Sequence, residues 1–209
     1  MKRKGYSQAL AYHRRLPEPL WYLLSEMGIV DGLVHAHLLG YDGEHVTVPI
    51  WNRSRDLAYF EYWEEADEGL RRSPYANSKS TVELFGWETL LRRPDRVFLV
   101  EDSIERLLLT SQSLPVVSIS GPAQRFKGEW IKDLEAAGEV VICFKRGAER
   151  SAQADFIAEQ LDNALHVELP ESVGEGGGFS DYFVRRHFTR SDFTKLVDEA
   201  REKKRRHDS

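Results

Sequence analysis

A chain of 209 residues, 41% hydrophobic and 30% charged, with a net charge of −5, can bury a core without staples and reads as one domain or two small lobes. Its single cysteine, Cys143, excludes an internal disulfide framework and any cysteine-based zinc module, and points to a reducing, cytoplasmic setting. No apolar run reaches the roughly 18–20 residues of a membrane span, and Met1 to Tyr6 lacks a signal peptide's apolar stretch. The mild acidity argues against a wholesale nucleic-acid coat while leaving room for a local basic groove.

In chain order, the first 16 residues are basic and polar. Pro17 and Pro19 then introduce a helix over Leu20–Met27, with Gly28 as its C-cap. Ile29–Leu39 reads as a second short helix closed by Gly40, and Tyr41-Asp-Gly-Glu as a turn. His45–Ile50 is a strand whose Pro49 marks an edge or an end. Leu57–Trp63 is the next strand of a hairpin or meander, and Glu64–Ser80 a charged, turn-rich loop. From Pro94 strands and helices alternate: strand Val97–Val100, helix Ser103–Leu109, strand Pro115–Ser120, helix Trp130–Ala137, strand Val140–Phe144, helix Ser151–Leu161, strand His166–Leu169. That order predicts an α/β fold with a parallel sheet covered by helices on both faces. Gly174–Gly178 is a glycine loop and Ser191–Arg206 a C-terminal helix with a basic tail. The boundaries that follow are a small α+β lobe over 1–93, an α/β domain over 94–190 and a helix with tail over 191–209.

A parallel sheet presents its site at the carboxyl ends of its strands. Three such places stand out: Glu101-Asp102 with Glu105 one helical turn on, Ser120-Gly121, and Lys145-Arg146-Gly147. Asp181 follows the glycine loop. Carboxylates at such loops suit Mg²⁺, although acidic residues in a first helical turn also serve the macrodipole. His35 and His37, two apart, point to different sides of a helix and do not read as metal ligands. Gly174-x-Gly-Gly-Gly178 lacks the Lys-Ser/Thr of a phosphate loop.

The order of these fragments resembles the Toprim domain of bacterial- and phage-type DNA primases. Phe98-Leu-Val-Glu-Asp-Ser-Ile-Glu-Arg-Leu107 stands where that family has a strand ending in Glu-Gly, an acidic residue three positions on and a Leu-rich helix. Leu114–Gly121, Val140-Val-Ile-Cys-Phe144, His166-Val-Glu-Leu-Pro170 and Asp181-Tyr-Phe183 follow in family order. Upstream, Tyr22–Ile29, Leu38-Leu-Gly-Tyr41, Val46-Thr-Val-Pro-Ile50, Tyr75 and Leu84-Phe-Gly86 are similar to fragments of a primase core's N-terminal lobe. The resemblance spans about residues 5–200 and implies a primase-core fold, with metal-assisted nucleotidyl transfer as the family's chemistry.

The departures bear on that chemistry. The family's Asp-x-Asp on the third strand is Lys145-Arg-Gly147 here, the Gly after the first glutamate is Asp102, and the Lys-Asp before Asp181 is missing. A lysine at ~4 Å repels a divalent ion by several kcal/mol at an effective ε of about 20. Glu101, with Glu105 or Asp181, keeps the means to hold one weakly bound Mg²⁺ or Mn²⁺, and zinc is not expected. Lys145 and Arg146 offer fixed cations for phosphate instead. Arg53, Arg55, Arg71, Arg72 and Lys79, among Trp51, Tyr59, Tyr62, Trp63 and Tyr75, supply phosphate contacts and stacking for single-stranded DNA or RNA; the bland alternative is a solvated face with its aromatics packed inward. Three functions stay open: a nucleic-acid-binding, primase-like protein of replication or a mobile element with a degenerate metal site; an active minimal primase or Toprim nuclease on Glu101, Glu105 and Asp181; and an interaction module for a helicase or other replisome protein.

Overall fold

The computed structural model describes residues 4–67, 69–73, 83–120 and 126–207. Tyr75, Lys79 and Gly121 lie outside the described residues.

The N-terminal part starts with helices α1 (Tyr6–His13), α2 (Glu18–Glu26) and α3 (Asp31–Ala36). Helix α1 corrects the reading of the first 16 residues as merely basic and polar. The charges flank the helix at Lys4 and at Arg14-Arg15, and between them Ala9 is fully buried. Helices α2 and α3 fall where the spacing predicts them. Pro19 sits in the first turn of α2, where its missing N–H costs nothing.

Strands β1 (Gly40–Tyr41), β2 (Val46–Trp51), β3 (Leu57–Ala66) and β4 (Gly69–Arg72) form an antiparallel sheet in that order. Pro49 pairs with Phe60 of β3 on one side only, since β1 reaches no further than Thr47. Its lack of an N–H is therefore harmless. Strand β4 overturns the expected loop over Glu64–Ser80 as far as Arg72. Glu64 lies directly opposite Arg71, and cross-strand ion pairs make a charged ribbon regular. Gly40 meets α1 so closely that a Cβ would stand 2.4 Å from the backbone carbon of Tyr12. Gly40→Ala is expected to lose at least ~2 kcal/mol, because backbone rather than a movable side chain blocks it. A denaturant midpoint within error of the parent contradicts that close approach.

The second sheet has the order β5-β7-β6-β8-β9, with β5 (Glu83–Phe85), β6 (Val97–Val100), β7 (Val116–Ser120), β8 (Val140–Ile142) and β9 (Ala164–His166). Four strands are parallel, as predicted. β5 adds an antiparallel edge beside β7, which three residues could not announce. β9 shares only His166 with the strand expected over His166–Leu169: Ala164, of weak strand preference by itself, is fixed by pairing with Val140, and Val167–Leu169 lies past the strand's end. The helix expected over Trp130–Ala137 is a 3₁₀ turn at Gly128–Trp130 followed by α5 (Ile131–Leu134).

Alternation along β6 decides the layers. Phe98 and Val100 face a core shared with α2, with α4 (Ser103–Ser111) and with α7 (Arg190–His207); Val97 and Leu99 face α5 and α6 (Ala148–Ala158). The first core also contains Val46, Val48, Ile50 and Trp63 of the antiparallel sheet, so one apolar cluster joins the two sheets. Among the described residues no helix is long and apolar enough to cross a membrane.

Candidate functional site

The site lies at the carboxyl ends of β6 and β8. Glu101 and Asp102 follow the end of β6, and Asp102 is the N-cap of α4: its Oδ1 accepts from the Glu105 N–H at 2.9 Å. The residue that departs from Glu-Gly thus starts the helix. Lys145, just past β8, donates from Nζ to Asp102 Oδ2 at 2.8 Å and stands 3.9 Å from Glu101 Oε1. Its ammonium lies 6.0 Å over the ring of buried Trp63 from β3, which closes the site from the antiparallel sheet. Arg150, in the first turns of α6, comes within 3.6 Å of Glu101 Oε2.

The protonation energetics follow from burial. Glu101, Asp102 and Glu105 are each no more than 5% exposed. Burial, then the Asp102 charge, pushes Glu101 up from the ordinary carboxylate range, against the pull of Lys145 and Arg150. Burial pushes Glu105 up to about 8, opposed mainly by the charge of Lys145. Glu105 Oε2 accepts the Phe179 N–H at 2.8 Å, tying α4 to the end of the glycine loop. For Lys145, burial would favour the neutral amine, but Asp102, Glu105 and Glu101 together outweigh it and hold the ammonium above its usual range.

A divalent ion of the kind the resemblance implies does not fit these residues. The point between Asp102 and Glu101 is taken by Lys145 Nζ, and among the described residues no group of three or more His, Cys, Asp or Glu side chains converges as metal ligands do. Asp181 is committed elsewhere: Oδ2 accepts the Gly178 N–H and Oδ1 the Arg185 guanidinium. It starts a π-helical turn over Asp181–Arg185, and among the described residues no hydrogen bond or ion pair joins it to Glu101 or Glu105.

The basic candidates divide. Lys145 belongs to the site, and Arg146 lies beside it, anchored by Nη1 on the Leu169 carbonyl. Arg72 pairs with buried Glu61, which also accepts from Ser103 at the start of α4, so β3 and β4 are hydrogen-bonded to the site helix. Arg71 pairs with Glu64 on the open face of the ribbon. Arg53 pairs with Asp133 of α5, and Arg55 is exposed with positive φ between β2 and β3. Among the aromatics, Tyr59 and Trp63 are buried in the core, as the bland alternative expects. Sequence reasoning missed Arg150. A helix predicted from Ser151 leaves it in a loop; three positions after Gly147, it would have read as a first-turn cation had Gly147 been taken as the N-cap.

Comparisons with known proteins bear on the fold. No protein-family model matches the chain, and no curated protein matches it. Solved structures do. The zinc-binding and RNA polymerase domains of the Aquifex aeolicus primase superpose with a TM-score of 0.69 at 18% identity, over 92% of this chain and 59% of that one. A DnaG primase catalytic domain bound to ssDNA gives 0.66 at 16% identity, over 92% of this chain and 78% of that one. The primase fragment of the bacteriophage T7 primase-helicase gives 0.60 at 14% identity, over 83% and 72%. The chain thus spans under two thirds of the Aquifex structure and about three quarters of the other two. It has the fold of a primase catalytic core: a parallel-strand sheet flanked by helices beside a separate antiparallel sheet.

Proposed function

We propose that the chain is a nucleic-acid-binding, Toprim primase-like protein of DNA replication or of a mobile element, with a lysine in place of the divalent ion and little primer synthesis of its own. The observation that carries this reading is Lys145 Nζ seated on Asp102 and facing Glu101 at the strand ends. Two-metal transfer needs carboxylates that hold ions against the attacking and leaving oxygens; here the carboxylates neutralise a cation that cannot leave. Single-stranded DNA or RNA is the partner the surface suits. Arg71 is 71% exposed, and its ion pair with Glu64 is the sort that exchanges for phosphate at little cost. Arg55 is exposed without an ion pair among the described residues.

One observation favours an active minimal primase or Toprim nuclease with a remodelled site. Glu101 Oε2 is buried without a hydrogen bond among the described residues and faces only the distant edge of Arg150. The experiment incubates the protein with single-stranded DNA, ribonucleotides and Mg²⁺ or Mn²⁺ and resolves the products on a gel. No primers, with salt-sensitive DNA binding, is the expected outcome. Primers that vanish in Glu101→Ala refute the proposal in favour of the active enzyme, and neither primers nor binding leaves a helicase- or replisome-docking module. Arg71→Ala is expected to lower the slope of log affinity against log salt by about 0.7, the value of one single-strand phosphate contact.

A further inference from the structure

Helices α1 and α3 meet through their last turns. His13 ends α1 and His35 lies in the last turn of α3, and the two rings stand edge to face with centroids 5.2 Å apart. His13 Nε2 and His35 Nδ1 are 3.0 Å apart, although 22 positions separate them in the chain. His35 is exposed and His13 half-buried, so solvent reaches the pair. His37, two positions on, turns instead to Arg106 at 3.4 Å, and burial followed by the charge of that guanidinium lowers it to about 3.

Hydrogen bonding fixes the tautomers. The Leu39 carbonyl only accepts, so the proton of His13 is on Nδ1, which donates to it at 2.6 Å. In the neutral pair His13 Nε2 therefore accepts and His35 Nδ1 donates. A ring with one nitrogen held by a backbone carbonyl and the other offering its lone pair is the arrangement of metal-ligating histidines. Trp21 of α2 braces both rings: its centroid is 4.7 Å from that of His35 and 6.0 Å from that of His13, and its Nε1 donates to Asp31 at 2.8 Å. Asp31 stands four positions before His35, on the same face of α3, and adds a negative charge there.

The spacing selects the ion. With metal–nitrogen bonds of roughly 2.0–2.1 Å, nitrogens 3.0 Å apart subtend about 95° at a shared ion. That angle belongs to neighbouring positions of a square-planar or octahedral sphere and falls short of the ~109° of tetrahedral zinc. We propose that His13 Nε2 and His35 Nδ1 chelate one late first-row divalent ion, Ni²⁺ or Cu²⁺, with water in the remaining positions, and so clasp α1 to α3. The ion takes the place of the proton between the rings, and that proton passes through water to His35 Nε2. Mn²⁺, lowest in the affinity order and partial to oxygen, is not held here. The proposal is independent of the site at the strand ends and of primer synthesis.

Titration calorimetry of the untagged full chain with Ni²⁺ tests it. Saturable one-to-one binding is expected, weakened by about tenfold or more in His35→Gln and likewise in His13→Gln, since either change leaves a single ligand. The double variant is expected to bind no more weakly than either single one, because the chelate is lost with the first nitrogen. His187→Asn, at an exposed histidine outside the pair, is expected to bind as the parent does. Ni²⁺ is also expected to raise the parent's melting temperature, and EDTA to reverse the rise, because the clasp exists only in the folded chain. Unchanged affinity in His35→Gln, an equal loss in His187→Asn, or Zn²⁺ held more tightly than Ni²⁺ overturns the proposal. His35 is exposed, so its variant folds even if His13→Gln, which disturbs the bond to Leu39, does not.

Discussion

Lys145→Ala is expected to lower the unfolding free energy by about 3 kcal/mol. The substitution strands Asp102 and Glu101, both nearly inaccessible, without their shared cation, and breaking a buried pair from one side typically costs ~3–5 kcal/mol. The lower end applies because the lysine side chain is itself 28% exposed, so water can partly replace it. Urea denaturation of both proteins at neutral pH measures the difference, and a loss below ~1 kcal/mol refutes the internal counter-ion. The same variant carries a second readout. Millimolar Mn²⁺ is expected to leave the parent's melting temperature unchanged and to raise that of Lys145→Ala, since the vacated point offers two carboxylates to a cation that binds only the folded chain. Equal shifts in the two proteins mean that Lys145 does not hold the ion's place.

The second large effect concerns pH. Glu105 is pushed up to about 8 by burial, against an ordinary value near 4.5. Between those values the folded chain holds a proton that the unfolded chain releases. Stability therefore falls as pH rises from about 5 to 8, by up to ~1.4 kcal/mol per unit for this one group. Glu105→Gln keeps an acceptor for the Phe179 N–H and removes the ionisation. The variant is expected to match the parent near pH 5 and to exceed it by a few kcal/mol near pH 8 in denaturant titrations. Parallel stability–pH curves for the two proteins rule out Glu105 as the buried acid.

Much of the scaffold was legible in the sequence. The apolar strand Val97–Val100, the run Val140–Phe144 whose strand ends at Ile142, and the Leu-rich stretch after Ser103 are visible because burial on both faces demands continuous hydrophobic residues. What escaped were elements defined by partners. Glu83–Phe85 becomes a strand only beside Ser118–Ser120, and Gly69–Arg72 only opposite Trp63–Ala66. Short polar stretches carry no periodicity of their own.

The candidate site divides in the same way. The sequence by itself determined the charge at each strand end: acidic after β6, and lysine and arginine after β8 where the resembling family carries two carboxylates. It also determined that one cysteine cannot build a zinc module from thiolates. Only the tertiary structure decided what those charges do to one another. It put Lys145 on Asp102 across 43 positions of chain, turned Asp181 toward Arg185, brought Arg150 to Glu101, and anchored Arg146 on the Leu169 carbonyl. The physical reason is that Coulomb energy and desolvation depend on distance and burial, which are set by parallel strand pairing between residues far apart in the chain.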